Sequence, residues 1–195
     1  MSAVPMLAGV GLMMVCCSSS SMASMMMGGE TVEETTPVVP TLPSGQHVKL
    51  VHTTAQDNSA EGNVDDKNMI LNLAELEVFG KGGTTSLAAG KTVTGSSEYS
   101  ATHGYLNLVD GNMTNFAHTK GRTAEEIDYL QVDLGSVQEI EKIKITNRVD
   151  CCKNRAIGIK AVILGADGTT VVKETPAIST VADTYTFTFP GTAWA

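Results

Sequence analysis

Apolar residues recur at every second position over most of this chain, the spacing that sets one face of a β-strand on a core and the other in water. In residues 129–135 Leu130, Val132 and Leu134 face inward, and in 141–146 Ile143 and Ile145 do so while Lys142 and Lys144 face out. Ile157, Ile159, Ala161 and Ile163 form another core face, and Tyr185, Phe187 and Phe189 alternate with threonines in a last strand. Nearer the start, Val48 and Leu50 flank Lys49 in a short strand, and 53–67 is a polar, acidic loop. Residues 69–79 put Ala74, Leu76 and Val78 on one side and Glu75 and Glu77 on the other. Propensity alone permits a helix there, but the alternation and the closing Gly80-Lys81-Gly82-Gly83 favour a strand entering a turn. Ala166-Asp167-Gly168-Thr169 reads as a hairpin turn. From His47 onward the pattern predicts an all-β domain over 47–195.

What precedes that domain is different in kind. Residues 1–29 carry no charged side chain, and 4–15 is an apolar run about the size of a signal-peptide core. Ser21-Met22-Ala23 suits a cleavage site. If the segment instead runs on to Met27 it is long enough to span a bilayer, with Cys16 and Cys17 placed for acylation. Both readings, a cleaved signal and a retained membrane anchor, place the domain outside or at a surface. Residues 30–46 mix proline, threonine and acid into an extended linker.

Composition narrows the partners. The 195 residues, 42% of them apolar, suffice for one well-filled core. A net charge of -8 argues against nucleic acid, whose binders present basic surfaces, and leaves a neutral ligand such as a sugar compatible. The four cysteines occur as two adjacent pairs, so no long-range disulfide framework is implied unless the pairs cross-link.

The chemistry concentrates in Asn147-Arg148-Val149-Asp150-Cys151-Cys152-Lys153-Asn154-Arg155. A bond between adjacent cysteines would close a tight ring with a flat sulfur face, and the two arginines supply forks of N–H donors that suit hydroxyls, carboxylates or phosphates. A second phrase, Asn107-Leu108-Val109-Asp110-Gly111-Asn112, makes a tight turn able to aim hard oxygen ligands inward, which suits Ca²⁺. Asn112-Met113-Thr114 also fits the N-glycosylation pattern, and a glycan there would compete with ligation by the Asn112 side chain.

These phrases resemble the F-type lectins, fucose-binding members of the discoidin, or coagulation factor 5/8 C-terminal, superfamily. The resemblance implies a discoidin-like jelly-roll β-sandwich. In its sugar pocket Arg148, Arg155 and His118 would bind hydroxyls, the Cys151–Cys152 disulfide would pack on the ring, Asp150 would steady the arginines and Phe116 would form an apolar wall. Lys120-Gly121-Arg122-Thr123 looks like an insertion, so Arg122 is an alternative to His118. The resemblance further implies a structural calcium held by Asn107, Asp110 and Asn112 with Glu75 and the carbonyl of Ala74. Residues 87–97 are similar to the opening strand of discoidin domains. Strands like 47–51 and 71–78 come last in typical F-type lectins and first here, so the chain looks circularly permuted relative to them.

Enzyme readings find no support. Gly-x-Ser-x-Gly, His-Glu-x-x-His and a Gly-rich phosphate loop are all missing, and Glu125, Glu126 and Asp128 read as a solvated loop. His47, His52 and His103 show no ligand spacing and read as structural. The expected function is a calcium-stabilised, fucose-type lectin module, secreted or membrane-anchored at a cell or virion surface and gaining avidity from an oligomer or multivalent display. The rival expectation is a structural or adhesion module of the same fold that contacts protein or lipid without sugar specificity.

Overall fold

The structure, a computed structural model, describes residues 41–53, 70–121 and 127–190, all within the unit Val39–Ala195. The expectations for 1–29, for most of the linker and the 53–67 loop, and for Arg122, Glu125 and Glu126 fall outside those residues. Among the described residues eight strands follow the chain: β1 Ser44–His52, β2 Asn72–Gly80, β3 Thr92–Gly95, β4 Ala117–His118, β5 Tyr129–Asn147, β6 Ile159–Leu164, β7 Val171–Glu174 and β8 Thr184–Thr188. None of the described helices is long and apolar enough to cross a membrane.

The long strand β5 organises the rest. Its first half pairs antiparallel with β1 and β3, from Val51↔Tyr129 to Ser44↔Glu139 and from Gly95↔Leu130 to Thr92↔Asp133. Its second half pairs with β2 and β8, from Gly80↔Ile140 to Leu73↔Asn147 and from Lys142↔Thr188 to Thr146↔Thr184. Two sheets result, ordered β3-β5-β1-β6-β7 and β4-β2-β5-β8, with β5 common to both. The alternating faces close on one core. Val48, Leu50, Leu130, Val132 and Ile163 from one sheet and Leu73, Leu76, Ile143 and Ile145 from the other are all fully buried. Each such Leu, Ile or Val contributes about 1.5–3 kcal/mol by leaving water, so the frame does not depend on loop side chains. The expectation of an all-β sandwich is met.

Three local readings change. β1 begins at Ser44, ahead of His47, where Gly45 passes so close to β6 that a Cβ would lie 2.6 Å from the Leu164 carbonyl oxygen. Ile157 does not join the β6 core face. It ends a 3-10 turn, Lys153–Ala156, and only Ile159, Ala161 and Ile163 are fully buried. Asp128 is not solvated but fully buried. Its carboxylate accepts from Ser96 Oγ at 2.6 Å, Ser97 Oγ at 3.0 Å and the Gly121 N–H at 3.0 Å, which binds three segments together.

The start of β2 fixes where function can sit. Asn72 pairs with His118 on one side, and Leu73 pairs with Asn147 on the other. One end of the second sheet therefore carries both the histidine and the root of the Arg148 loop.

Candidate functional site

Asn147 turns the chain out of β5. It is fully buried, and its Nδ2 donates to the main-chain oxygens of Lys153 at 2.9 Å and Ala182 at 3.0 Å. Its Oδ1 accepts from the Arg148 N–H at 2.9 Å, so one amide ties both ends of the loop. Within the loop Cys151 and Cys152 are disulfide-bonded. Cys152 takes a left-handed backbone conformation, φ 61°, uncommon for a residue with a Cβ. That reversal starts the 3-10 turn that returns Arg155 to the protein, where it is 5% exposed.

The two arginines are held in different ways. Arg148 donates from Nε to Asp150 Oδ1 at 2.5 Å and from Nη2 to Oδ2 at 2.8 Å, while its guanidinium lies 3.9 Å from the centre of the Phe116 ring. The paired guanidinium lowers the Asp150 carboxyl to about 2. Asp150 spends its other hydrogen bond on the Cys151 N–H, so it steadies Arg148 and the disulfide. Arg155 sits instead against His118, its Nη1 3.5 Å from Nε2. Asp150 thus steadies Arg148, while the 3-10 turn carries Arg155 inward to the histidine.

His118 is 7% exposed, and its Nδ1 is 2.5 Å from the Thr119 carbonyl oxygen. A carbonyl only accepts, so Nδ1 carries the proton and Nε2 is left as an acceptor. Burial lowers its pKa below the usual histidine value, with Arg155, Arg148 and His103 adding to the effect. The neutral ring therefore offers a ligand one lone pair, not the donor and acceptor together that its chemistry allows.

These groups converge on one pocket of about 570 Å³ whose lining includes Phe116, His118, Arg148, Cys151, Cys152 and Arg155. An aromatic wall completes it. His103 stacks on Phe116 with ring centroids 4.4 Å apart, and Tyr99 packs on His118 at 4.7 Å. Phe116 is thereby held between His103 and Arg148.

The Asp110 turn lies beside this pocket. Asn107 Nδ2 donates to the Phe116 carbonyl at 3.1 Å and to the Thr102 carbonyl at 3.0 Å, tying the turn to the pocket wall. Gly111, at φ +79°, donates its N–H to both Glu75 oxygens at 3.2 Å. Glu75 is 3% exposed, covered by this turn instead of facing water with Glu77 as the alternation alone would suggest. Burial, with Asp110 and Glu77 adding their charge, pushes the Glu75 carboxyl up to about 7. A desolvated carboxylate beside a second acid is an environment that a hard cation would relieve. The side chains do not suffice alone: among the described residues no three His, Cys, Asp or Glu gather to hold a metal. Asn112 Oδ1 already accepts from the Thr114 N–H at 3.0 Å and Oγ1 at 2.7 Å. A cation here would draw on Glu75 and Asp110, whose oxygens now accept from the Gly111 N–H, the Asn112 N–H and Asn115 Nδ2.

Residues 107–194 match the family model of the NedA-like, galactose-binding domain. No curated protein and no solved structure matches the chain. The matched stretch runs from the Asp110 turn through β8 and contains His118 and the whole Arg148 loop. Glu75 and Ala74, on β2, lie outside it. The chain is an all-β, discoidin-like sandwich, and the likeness marks a carbohydrate-binding or adhesion module.

The structure brings together all six sequence candidates for pocket walls, with Asp150 bracing from behind. It also brings Ala74 and Glu75 to the Asp110 turn. Sequence reasoning missed Tyr99, His103, Lys120 and Asn147. Tyr99 and His103 come from a short polar stretch whose only local signal is the Ser100 Oγ to His103 Nδ1 hydrogen bond, 2.9 Å, that fixes the ring. Asn147 stood in the quoted phrase, but its role depends on Ala182, far along the chain.

Proposed function

We propose that this chain is an F-type, fucose-binding lectin module, braced by calcium at the Asp110 turn and displayed at a cell or virion surface by its N-terminal segment. The observation that carries the reading is the Cys151–Cys152 disulfide lining one pocket with Arg148, Arg155 and His118. A flat sulfur pair beside an apolar ring packs on a sugar's carbon face, while guanidinium N–H groups donate to hydroxyls and the His118 lone pair accepts from one. In this reading the module acts by binding a saccharide, and the chain is circularly permuted relative to F-type lectins, with β1 and β2 coming first. Single-site sugar binding is weak, so avidity comes from several copies on one surface or in an oligomer.

Arg148→Ala tests the reading. The lost contacts are a cation–π pair and a partly exposed ion pair, together about 1 kcal/mol, so melting falls only by roughly 2–4 °C. Retention on fucosylated beads is abolished. Unchanged retention overturns the site, and a wild-type protein retained by no glycan leaves only the adhesion module.

A further inference from the structure

The donors and acceptors lining the pocket are badly unequal, and the imbalance selects a ligand class. Lys120 joins Arg148 and Arg155 on the lining, so three permanent cations meet there. No described Asp or Glu is among the lining residues. Asp150 stands behind Arg148, with both carboxylate oxygens accepting from that side chain. Lysine and arginine donate hydrogen bonds and accept none. Among the described lining residues the side-chain acceptors that remain are His118 Nε2, which already faces Arg155, the Tyr99 hydroxyl and the His103 ring. A neutral sugar presents hydroxyls that donate as well as accept, and sites for such sugars need acceptors to take those protons. This pocket has few. The concentration of positive charge also runs against the chain as a whole, which carries -8.

Resting on the saccharide-binding reading above, we infer that the pocket selects an acidic saccharide, one bearing a carboxylate or a sulfate ester, and that Lys120 is a specificity-determining residue for that group. An acidic group brings two or three acceptor oxygens and no donor, which matches the lining. Lys120 is well placed for the task. Its side chain is exposed and makes no ion pair among the described residues, while its main-chain N–H is fixed by Ser97 Oγ at 3.0 Å. Ser97 is in turn held by the buried Asp128, so the loop that presents the ammonium is anchored from the core. The sulfur ledge and Phe116 would still take the apolar face of the ring, leaving the acidic substituent to the cations.

The experiment uses the full chain and matched glycan pairs on one array: galactosyl and fucosyl saccharides, and the same saccharides carrying a sulfate ester or a terminal sialic acid. The expected result is tighter binding of the acidic member by about tenfold, the gain of one charge-assisted hydrogen bond, shrinking at raised salt. Lys120→Ala reduces that preference several-fold with an unchanged melting temperature, and Lys120→Arg restores it. Neutral members bound as tightly as their acidic partners, or a preference untouched by Lys120→Ala, overturn the inference while leaving saccharide binding intact. Binding of neither member sinks the lectin reading and this inference with it.

Discussion

Asn147→Ala is the substitution whose effect the structure specifies most fully. The side chain is fully buried and makes two donor bonds to main-chain oxygens and accepts one from the Arg148 N–H, with the Tyr185 hydroxyl also 3.3 Å from Nδ2. Each intramolecular hydrogen bond is worth about 1 kcal/mol net, and more where a buried partner is left unsatisfied. Three lost bonds give roughly 3 kcal/mol. In a domain of this size each kcal/mol moves melting by about 2–4 °C, so the midpoint should fall by roughly 6–12 °C. The same change releases both ends of the Arg148 loop, so sugar retention falls together with a large loss of stability, whereas Arg148→Ala removes retention with only a small one. Thermal unfolding followed by circular dichroism, with bead retention measured well below the midpoint, reads both quantities. A midpoint shifted by less than about 2 °C, or full retention by the folded variant, would refute the claim that one buried amide organises the loop.

Acid and metal supply two further tests. Burial lowers the His118 pKa, so the folded state favours the neutral ring. Its contribution is present above the ordinary value of about 6.5 and is lost only as pH falls through the lower folded value. Retention should thus hold steady down to about pH 6.5 and decline below it; a half-loss at or above that pH contradicts the lowered His118 pKa. A chelator should lower the melting temperature, by an amount set by mass action and reaching about 2.7 kcal/mol when calcium stands at a hundredfold over its dissociation constant. Glu75→Gln should abolish that response, and a melting point indifferent to chelator removes calcium from the account.

How much was legible in the sequence followed from how local each signal is. Alternation is a property of neighbours, so the core faces of β5 and β8 could be read directly from Leu130, Val132, Ile143, Ile145, Tyr185 and Phe187. The Arg148 loop was legible because its chemistry is contiguous. What covers a residue is not local. Glu75 looks solvent-facing until Gly111, a distant partner on another segment, closes over it. Asp128 looks like part of an acidic loop until Ser96 and Ser97 arrive from β3's exit. The same reasoning explains Tyr99, His103 and Lys120, which reach the pocket only because β4 pairs with β2 beside β5. The donor state of His118 turned on the carbonyl of its own neighbour, a geometry that no residue pattern encodes.

The most direct test is a crystal structure of the domain soaked with a saccharide it retains. Electron density for the sugar ring should lie against the Cys151–Cys152 sulfurs, with Arg148 and Arg155 nitrogens within hydrogen-bonding distance of its oxygens. Density confined to another surface, with that sulfur ledge bare, would contradict the account.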